Sequence, residues 1–272
     1  MQGGNTVEIK KITSREKAGE FLFKDPYQHL YEIGNLHEKF FGRSEWFCAG
    51  ENSEIKAMAM VHKAEDEKNN MVFLLENKNM EHAAGLLQGI KDILPAVFYA
   101  HVTKETAELL KPKYEISTPV IYNKMRINGD MFVGSSIKYP EYTYRVNAND
   151  FETVNEFLRA INPSAFFMHS MLKTGKYFII RKNSDIIAMA GVHFYSKETG
   201  IAAIGNVATA PEFRGKGYAG SVTASLVQDL WKEVKYIGLN VRADNTAAIK
   251  VYEKMGFVFH SSHEEILAKR VL

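Results

Sequence analysis

The chain has 272 residues, 46% of them hydrophobic, and 34 basic against 32 acidic side chains leave a formal net charge of +2. That length admits one large domain or two of ordinary size, and the balanced charge gives no electrostatic footing for nucleic acid or an anionic membrane as partner. The lone cysteine, Cys48, excludes an intrachain disulfide; with no secretory leader and no run long enough to span a bilayer, a cytoplasmic protein is expected.

In chain order, "WFCAG" (46–50), "EIKAMAMVH" (54–62) and "NMVFLLE" (70–76) read as three strands. "EHAAGLLQGIKDIL" reads as a helix stopped before Pro95, "AVFYAHV" as a strand, "KETAELL" as a short helix and "YEISTPVIY" as a final strand. Residues 127–142, "INGDMFVGSSIKYPEY", carry the Gly, Ser and Pro content of a linker, with room for a crossing strand. The order then recurs. "KYFIIRKN" and "DIIAMAGVHFY" form a hairpin around Asn183-Ser184, and "TGIAAIGNVAT" is a third strand ended by Pro211. Ala219, Val222, Leu226, Leu230 and Val234 give a helix over about 217–233 one apolar stripe. "YIGLNV" is a strand, Asn245 caps a short helix that Gly256 ends, and "FVFHSS" begins a last strand. Each half thus reads β-β-β-α-β-α-β.

The two halves are alike in detail. "WFCAGENSEIKAMAMVH" (46–62) and "YFIIRKNSDIIAMAGVH" (177–193) share nine of seventeen positions without a gap. Such self-similarity means one structural unit built twice.

The chemistry concentrates in "NVATAPEFRGKGYAG" (206–220), between the third strand and the long helix of the second half. Its glycines let the backbone approach a ligand and take positive φ. Successive amides, with the free N–H groups and dipole of the helix start, make an anion site that fits a pyrophosphate, supplemented by Arg214 and Lys216. "GKGYAG" also matches the dinucleotide fingerprint G-x-G-x-x-G. That motif should come directly after a strand, whereas five residues intervene here, and Asp244 stands beyond the next strand instead of near its end.

Arg214-x-x-Gly217-x-Ala219 resembles the acyl-CoA signature [R/Q]-x-x-G-x-[G/A] of the GNAT acetyltransferase superfamily. "VATAPEFRGKGYA" is similar to that family's fourth strand and pyrophosphate loop, and "NTAAIKVYEKMGF" to its closing helix. The resemblance is specific over about 201–259. It implies an α/β fold of two GNAT-like units, each a mixed, mostly antiparallel sheet flanked by helices, with a splayed strand pair in the second. Residues 1–137 would be a degenerate unit without the CoA loop, and 138–272 the catalytic one. It further implies acetyl-CoA as acyl donor and no metal. Pantetheine would pair with the backbone of Val207 and Thr209. The pyrophosphate would lie on Arg214, Gly215, Lys216, Gly217, Tyr218, Ala219 and Gly220, with Asn245 touching the cofactor. Tyr252 would protonate the departing thiolate, a role that suits a phenol beside a thiol of ordinary pKa about 8.5. Tyr252 also lies on the inward face of its helix and Asn245 at its start, so packing and capping are their plain structural alternatives.

Many family members place a carboxylate where this chain has Asn206, which leaves Asn206 to order a water. His193 is a candidate base, but His62 stands at the matching place in the first half, so fold explains both more simply. His169, His260 and His263 are further candidates. The implied activity is direct transfer of an acetyl group to a primary amine of a small molecule in a ternary complex. A non-catalytic acyl-CoA sensor or scaffold is the alternative, and a nicotinamide-dependent oxidoreductase the third reading. The first half is expected to bind no CoA and to help wall the acceptor site, with Tyr27, Tyr31, Phe40, Phe41 and Trp46 as aromatic candidates. Cys48, in an apolar run, is expected to be inert. Acceptor identity, acyl length and oligomeric state stay open.

Overall fold

A computed structural model describes residues 8–51, 54–64, 69–76 and 80–271. In chain order these form β1 (Glu8–Ile12), α1 (Arg15–Leu22), α2 (Leu30–Gly34), α3 (Glu38–Phe41), β2 (Ser44–Glu51), β3 (Glu54–His62), β4 (Met71–Glu76), α4 (Met80–Ile90), β5 (Val97–Val102), α5 (Lys104–Leu110), β6 (Tyr114–Ile116) and β7 (Val120–Ile127). They continue with β8 (Thr143–Arg145), α6 (Phe151–Ile161), α7 (His169–Leu172), β9 (Phe178–Lys182), β10 (Asp185–Ser196), β11 (Ile201–Thr209), α8 (Tyr218–Leu230), β12 (Tyr236–Arg242), α9 (Thr246–Met255) and β13 (Val258–Arg270). The expected strand 114–122 is two strands, β6 and β7, because Pro119 has no N–H to donate to a ladder.

The chain divides into two compact units, neither of them continuous in sequence. The first comprises Met1–Asp25, Asn35–Tyr122 and Ser262–Leu272; the second comprises Pro26–Gly34 and Asn123–Ser261. This differs from two segments meeting at residue 137. The reason is an exchange of strands: β7 leaves the first segment to serve the second unit, and the end of β13 returns to the first.

In the first unit the strand order is β1-β2-β3-β4-β5-β13, with β6 paired to the end of β13. Strands β1 to β4 are antiparallel, and β4 joins β5 in parallel over Met71–Phe73. The last strand runs antiparallel to β5, from Glu264 opposite Val102 to Lys269 opposite Val97. α4 buries Leu86, Leu87 and Ile90 against Phe47, Val61 and Phe98, one stripe of helix meeting one face of sheet. The repeated Asn-Ser of this half, Asn52 and Ser53, lies outside the described residues.

The second unit has the order β7-β12-β11-β10-β9-β8. Its hairpin closes with two residues between Lys182 and Asp185, and Asn183 takes the left-handed conformation at φ 57°, as a tight turn of this length requires. The expected stripe of α8 is its buried face: Val222, Leu226 and Leu230 are fully enclosed, packed with Ile187, Met189 and Ile237. Two departures from regularity set up the site. β11 joins β12 in parallel only over Ile201–Ile204, against Tyr236–Leu239, although both strands run on, to Thr209 and Arg242. Opposite β10 the register slips between Gly191–Gly205 and Met189–Ala208, so β11 carries a bulge at Asn206, φ 52°.

Candidate active site

The loop after β11 is short and sharply turned. Pro211–Phe213 form one 3-10 turn, Arg214 is extended, and Gly215 (φ 75°) and Gly217 (φ 87°) take the left-handed conformation that side chains resist. Gly217 is the residue before α8. On either side the amides are used: Arg214 N–H donates to Pro211 and Ser221 N–H to Gly217. Between them, among the described residues, no acceptor takes the amides of Gly215, Lys216, Gly217, Tyr218, Ala219 or Gly220. Six successive free donors at the positive end of a 13-residue helix form a concentrated anion-binding surface.

Two side chains expected to add charge also shape the loop. Arg214 Nε donates to the Thr209 carbonyl (3.2 Å) and Lys216 Nζ to the Glu212 carbonyl (3.0 Å). The segment read as a linker holds the other side. Ser221 Oγ accepts the amides of Lys138 and Tyr139, both at 3.0 Å, and Tyr139 Oη donates to the Lys216 carbonyl (3.0 Å) while its ring lies 4.5 Å from that of Tyr218. Lys138 thereby lies along Gly217, adding a third cation to the loop. No local pattern in "SSIKYPEY" announces this, since the contact spans more than 80 positions.

Val207 and Thr209 lie on β11 beyond its last pair with β12, on the edge that the splay opens. α9 reaches the same end of α8, with Val251 beside Gly220. Next to Val251, Tyr252 is buried, its ring against Phe257, and its hydroxyl has no hydrogen-bond partner among the described residues. Burial pushes that phenol up to about 12, so it stays protonated at neutral pH. Asn245 caps α9 by accepting the Ala248 amide (3.1 Å) and is otherwise exposed.

At the bulge, Asn206 Nδ2 donates to Tyr177 Oη (3.0 Å) and to the Phe166 carbonyl (3.2 Å), which fastens the loop before α7 to β11. Tyr177 Oη in turn donates to the Val192 carbonyl (2.8 Å). His193 lies flat over Gly205, where any side chain would collide with the imidazole, and its Nδ1 is 3.0 Å from Tyr31 Oη. The other histidines go elsewhere. His169 starts α7 beside Phe151, His260 faces Tyr27, and His263 falls in the first unit beside His101, 4.4 Å between rings. Cys48 is buried in β2, and burial pushes its thiol up. Trp46 and Phe41 stack on each other at 5.5 Å within the first unit. Tyr27 and Tyr31 belong to the second unit.

Residues 141–257 match the family model for the GNAT acetyltransferases. This part of the chain is a GNAT acetyltransferase domain. It contains the splayed strands, the loop and the closing helix described above. The fold recurs in solved structures. A Drosophila protein is 12% identical, with a TM-score of 0.69 over 98% of this chain and 99% of its own. A GCN5-related N-acetyltransferase from Sphaerobacter thermophilus is 14% identical, with a TM-score of 0.61 over 98% and 96%. An acetyltransferase-family structure from Novosphingobium aromaticivorans is 18% identical, with a TM-score of 0.52 over 74% and 84%. At these identities the likeness concerns the fold. No curated protein matches the sequence. Among the described residues, no helix of the GNAT domain or its companion unit is long and apolar enough to cross a membrane, and no cluster of metal-ligating side chains is assembled.

Proposed function

We propose that the second unit transfers an acetyl group from acetyl-CoA directly to the primary amine of a small molecule. The observation that carries this reading is the row of six unclaimed amides, Gly215 to Gly220, at the head of α8 and at the mouth of the β11–β12 splay. A diphosphate on that row would be gripped by main-chain donors, with Arg214, Lys216 and Lys138 balancing its charge. Pantetheine, an amide-bearing arm, would run along the open edge at Val207 and Thr209 as an added strand does. Since the Thr209 carbonyl already accepts from Arg214, Val207 carries more of this pairing.

The chemistry then needs two proton movements. The thiolate leaving as the C–S bond breaks takes a proton from Tyr252, whose burial keeps it neutral and whose hydroxyl is uncommitted. The attacking nitrogen must lose one. Asn206 is a neutral amide and no base for it, and its side chain is committed to Tyr177 and Phe166. The first unit has no Arg-x-x-Gly-x-Ala between β4 and α4, and we take it to bind no CoA.

Calorimetric titration with acetyl-CoA, and with NADH as control, tests the reading. One acetyl-CoA per chain with thermal stabilisation is expected, since a ligand of the native state raises its stability; NADH binding without acetyl-CoA binding would overturn it. Release of free CoA with a panel of primary amines then separates an enzyme from a module that only holds acyl-CoA.

A further inference from the structure

We infer that Tyr31 and His193, oriented by Asn206, form the relay that removes the proton from the acceptor amine. The inference rests on the acetyl-transfer reading above. Its starting point is the fixed orientation of Asn206. The Phe166 carbonyl can only accept, and Tyr177 Oη spends its own proton on Val192, so the atom of Asn206 facing both is the NH2 group. Oδ1 is therefore the pole that Asn206 has left to offer the imidazole of His193. An amide oxygen accepts, and Nδ1 is already engaged by Tyr31, so the hydrogen for that oxygen falls to Nε2. Nδ1 is then the bare nitrogen, and it accepts the hydroxyl of Tyr31 at 3.0 Å. Oriented this way, the pair can draw a proton inward through Tyr31.

Position adds to orientation. His193 is the extra residue of a second slip, on β10 between Val192–Ile204 and Phe194–Ala203, one step from the last β11–β12 pair, Ile204–Leu239, where the strands part. Gly205 gives the ring its bed, and Tyr31 is held by edge contact with Phe194 at 5.3 Å. Among the described residues, the polar group hydrogen-bonded to the imidazole is uncharged, the Tyr31 hydroxyl from α2. Glu32, the next residue on α2, is buried but makes no ion pair with the ring among the described residues. Burial holds the imidazole below the ordinary histidine value, which keeps it an unprotonated acceptor at neutral pH.

The step balances. A proton of the substrate ammonium passes to the Tyr31 oxygen as the Tyr31 proton passes to His193 Nδ1. The nitrogen lone pair so freed forms the bond to the thioester carbon, the C–S bond breaks, and sulfur takes the proton of Tyr252, while the second proton shed by the acylated nitrogen restores the Tyr252 phenol, leaving amide and free thiol. His193 ends as imidazolium with Nε2–H still on Asn206.

The test uses the full chain, acetyl-CoA and the amine from the panel that the wild type acetylates. kcat against pH should hold down to below 6.5, the ordinary value, and fall with protonation of His193. Tyr31→Phe keeps the ring and removes only the hydroxyl; His193→Gln keeps both hydrogen-bonding directions. Both should lower kcat by about 100-fold, within the usual range for a positioned base, with acetyl-CoA affinity unchanged, and His193→Gln should abolish the acid limb. Retention of kcat within threefold in Tyr31→Phe, with the acid limb unmoved, overturns the relay even if His193→Gln fails to fold. Wild-type protein that binds acetyl-CoA yet acetylates no amine overturns the transfer reading itself, and the relay with it.

Discussion

The hairpin β2–β3 and the hairpin β9–β10 are near copies in sequence, yet their histidines have different company. In the first, His62 Nδ1 is 3.2 Å from Ser44 Oγ, its neighbour across the ladder, and the contact closes on itself. In the second, His193 Nδ1 is 3.0 Å from Tyr31 Oη, which comes from α2, outside the hairpin. A strand scaffold was built twice, but among the described residues only the second histidine is hydrogen-bonded by an element outside its own hairpin. The difference arises around the third strand: the second unit has a bulge within it and a glycine turn after it, and the sequence of the first provides neither. A shared residue in a repeat is thus no argument that its two copies share a role.

Several measurements would break or sharpen this contrast. The largest effect is expected from Gly217→Val, which forces a β-branched side chain into φ 87° at the head of α8, beside Lys138. Acetyl-CoA affinity should fall more than about 100-fold, since strain of roughly 1–3 kcal/mol adds to a blocked amide row. Glu81→Ala, at the head of α4, should leave it within about twofold; equal losses would mean that both units bind. Next comes the pair His193→Gln and His62→Gln: a fall in kcat of about 100-fold is expected in the first and under about twofold in the second, and matching losses would make both histidines scaffold. Tyr252→Phe should lower kcat by roughly tenfold or more at unchanged acetyl-CoA affinity. The smallest effect belongs to Asn245→Ala. Loss of the α9 cap should cost about 1 kcal/mol in denaturant unfolding, and an additional loss of acetyl-CoA affinity would show that Asn245 also touches the ligand.

Much of this architecture is legible in the sequence, and the illegible parts share a cause. The alternation in "DIIAMAGVH", the stripe Val222–Leu226–Leu230 and the caps Asn245 and Gly256 are local signals, and each stands where its pattern places it. The glycine turn is readable because Gly215 and Gly217 supply a backbone conformation that few other residues tolerate. Lys138 and Tyr139 are not readable as residues that shape the site, and Tyr31 reads only as an aromatic candidate for the acceptor wall, not as a partner of His193. Their partners lie far along the chain, and nothing in their own neighbourhoods requires those partners. Asn206 stands out in the sequence for what it lacks, a carboxylate. Its actual part, holding an amide in one orientation at a bulge, depends on Tyr177 and Phe166 together. The division of the chain is hidden for the same reason, because strand partners over long separations leave no mark in local periodicity.

The returning end of β13 has a consequence for how the protein is born. Glu265 meets His101 at 3.0 Å from 164 positions away, and β5 has β13 as its outer neighbour. A nascent chain emerges N-terminus first, so the first unit waits on the ribosome with β5 as an open edge until translation of the last strand is nearly done. That edge is a template for wrong partners while it waits. Stalling or truncation before residue 264 should therefore send the early-synthesised half, not the late one, to chaperones and proteases.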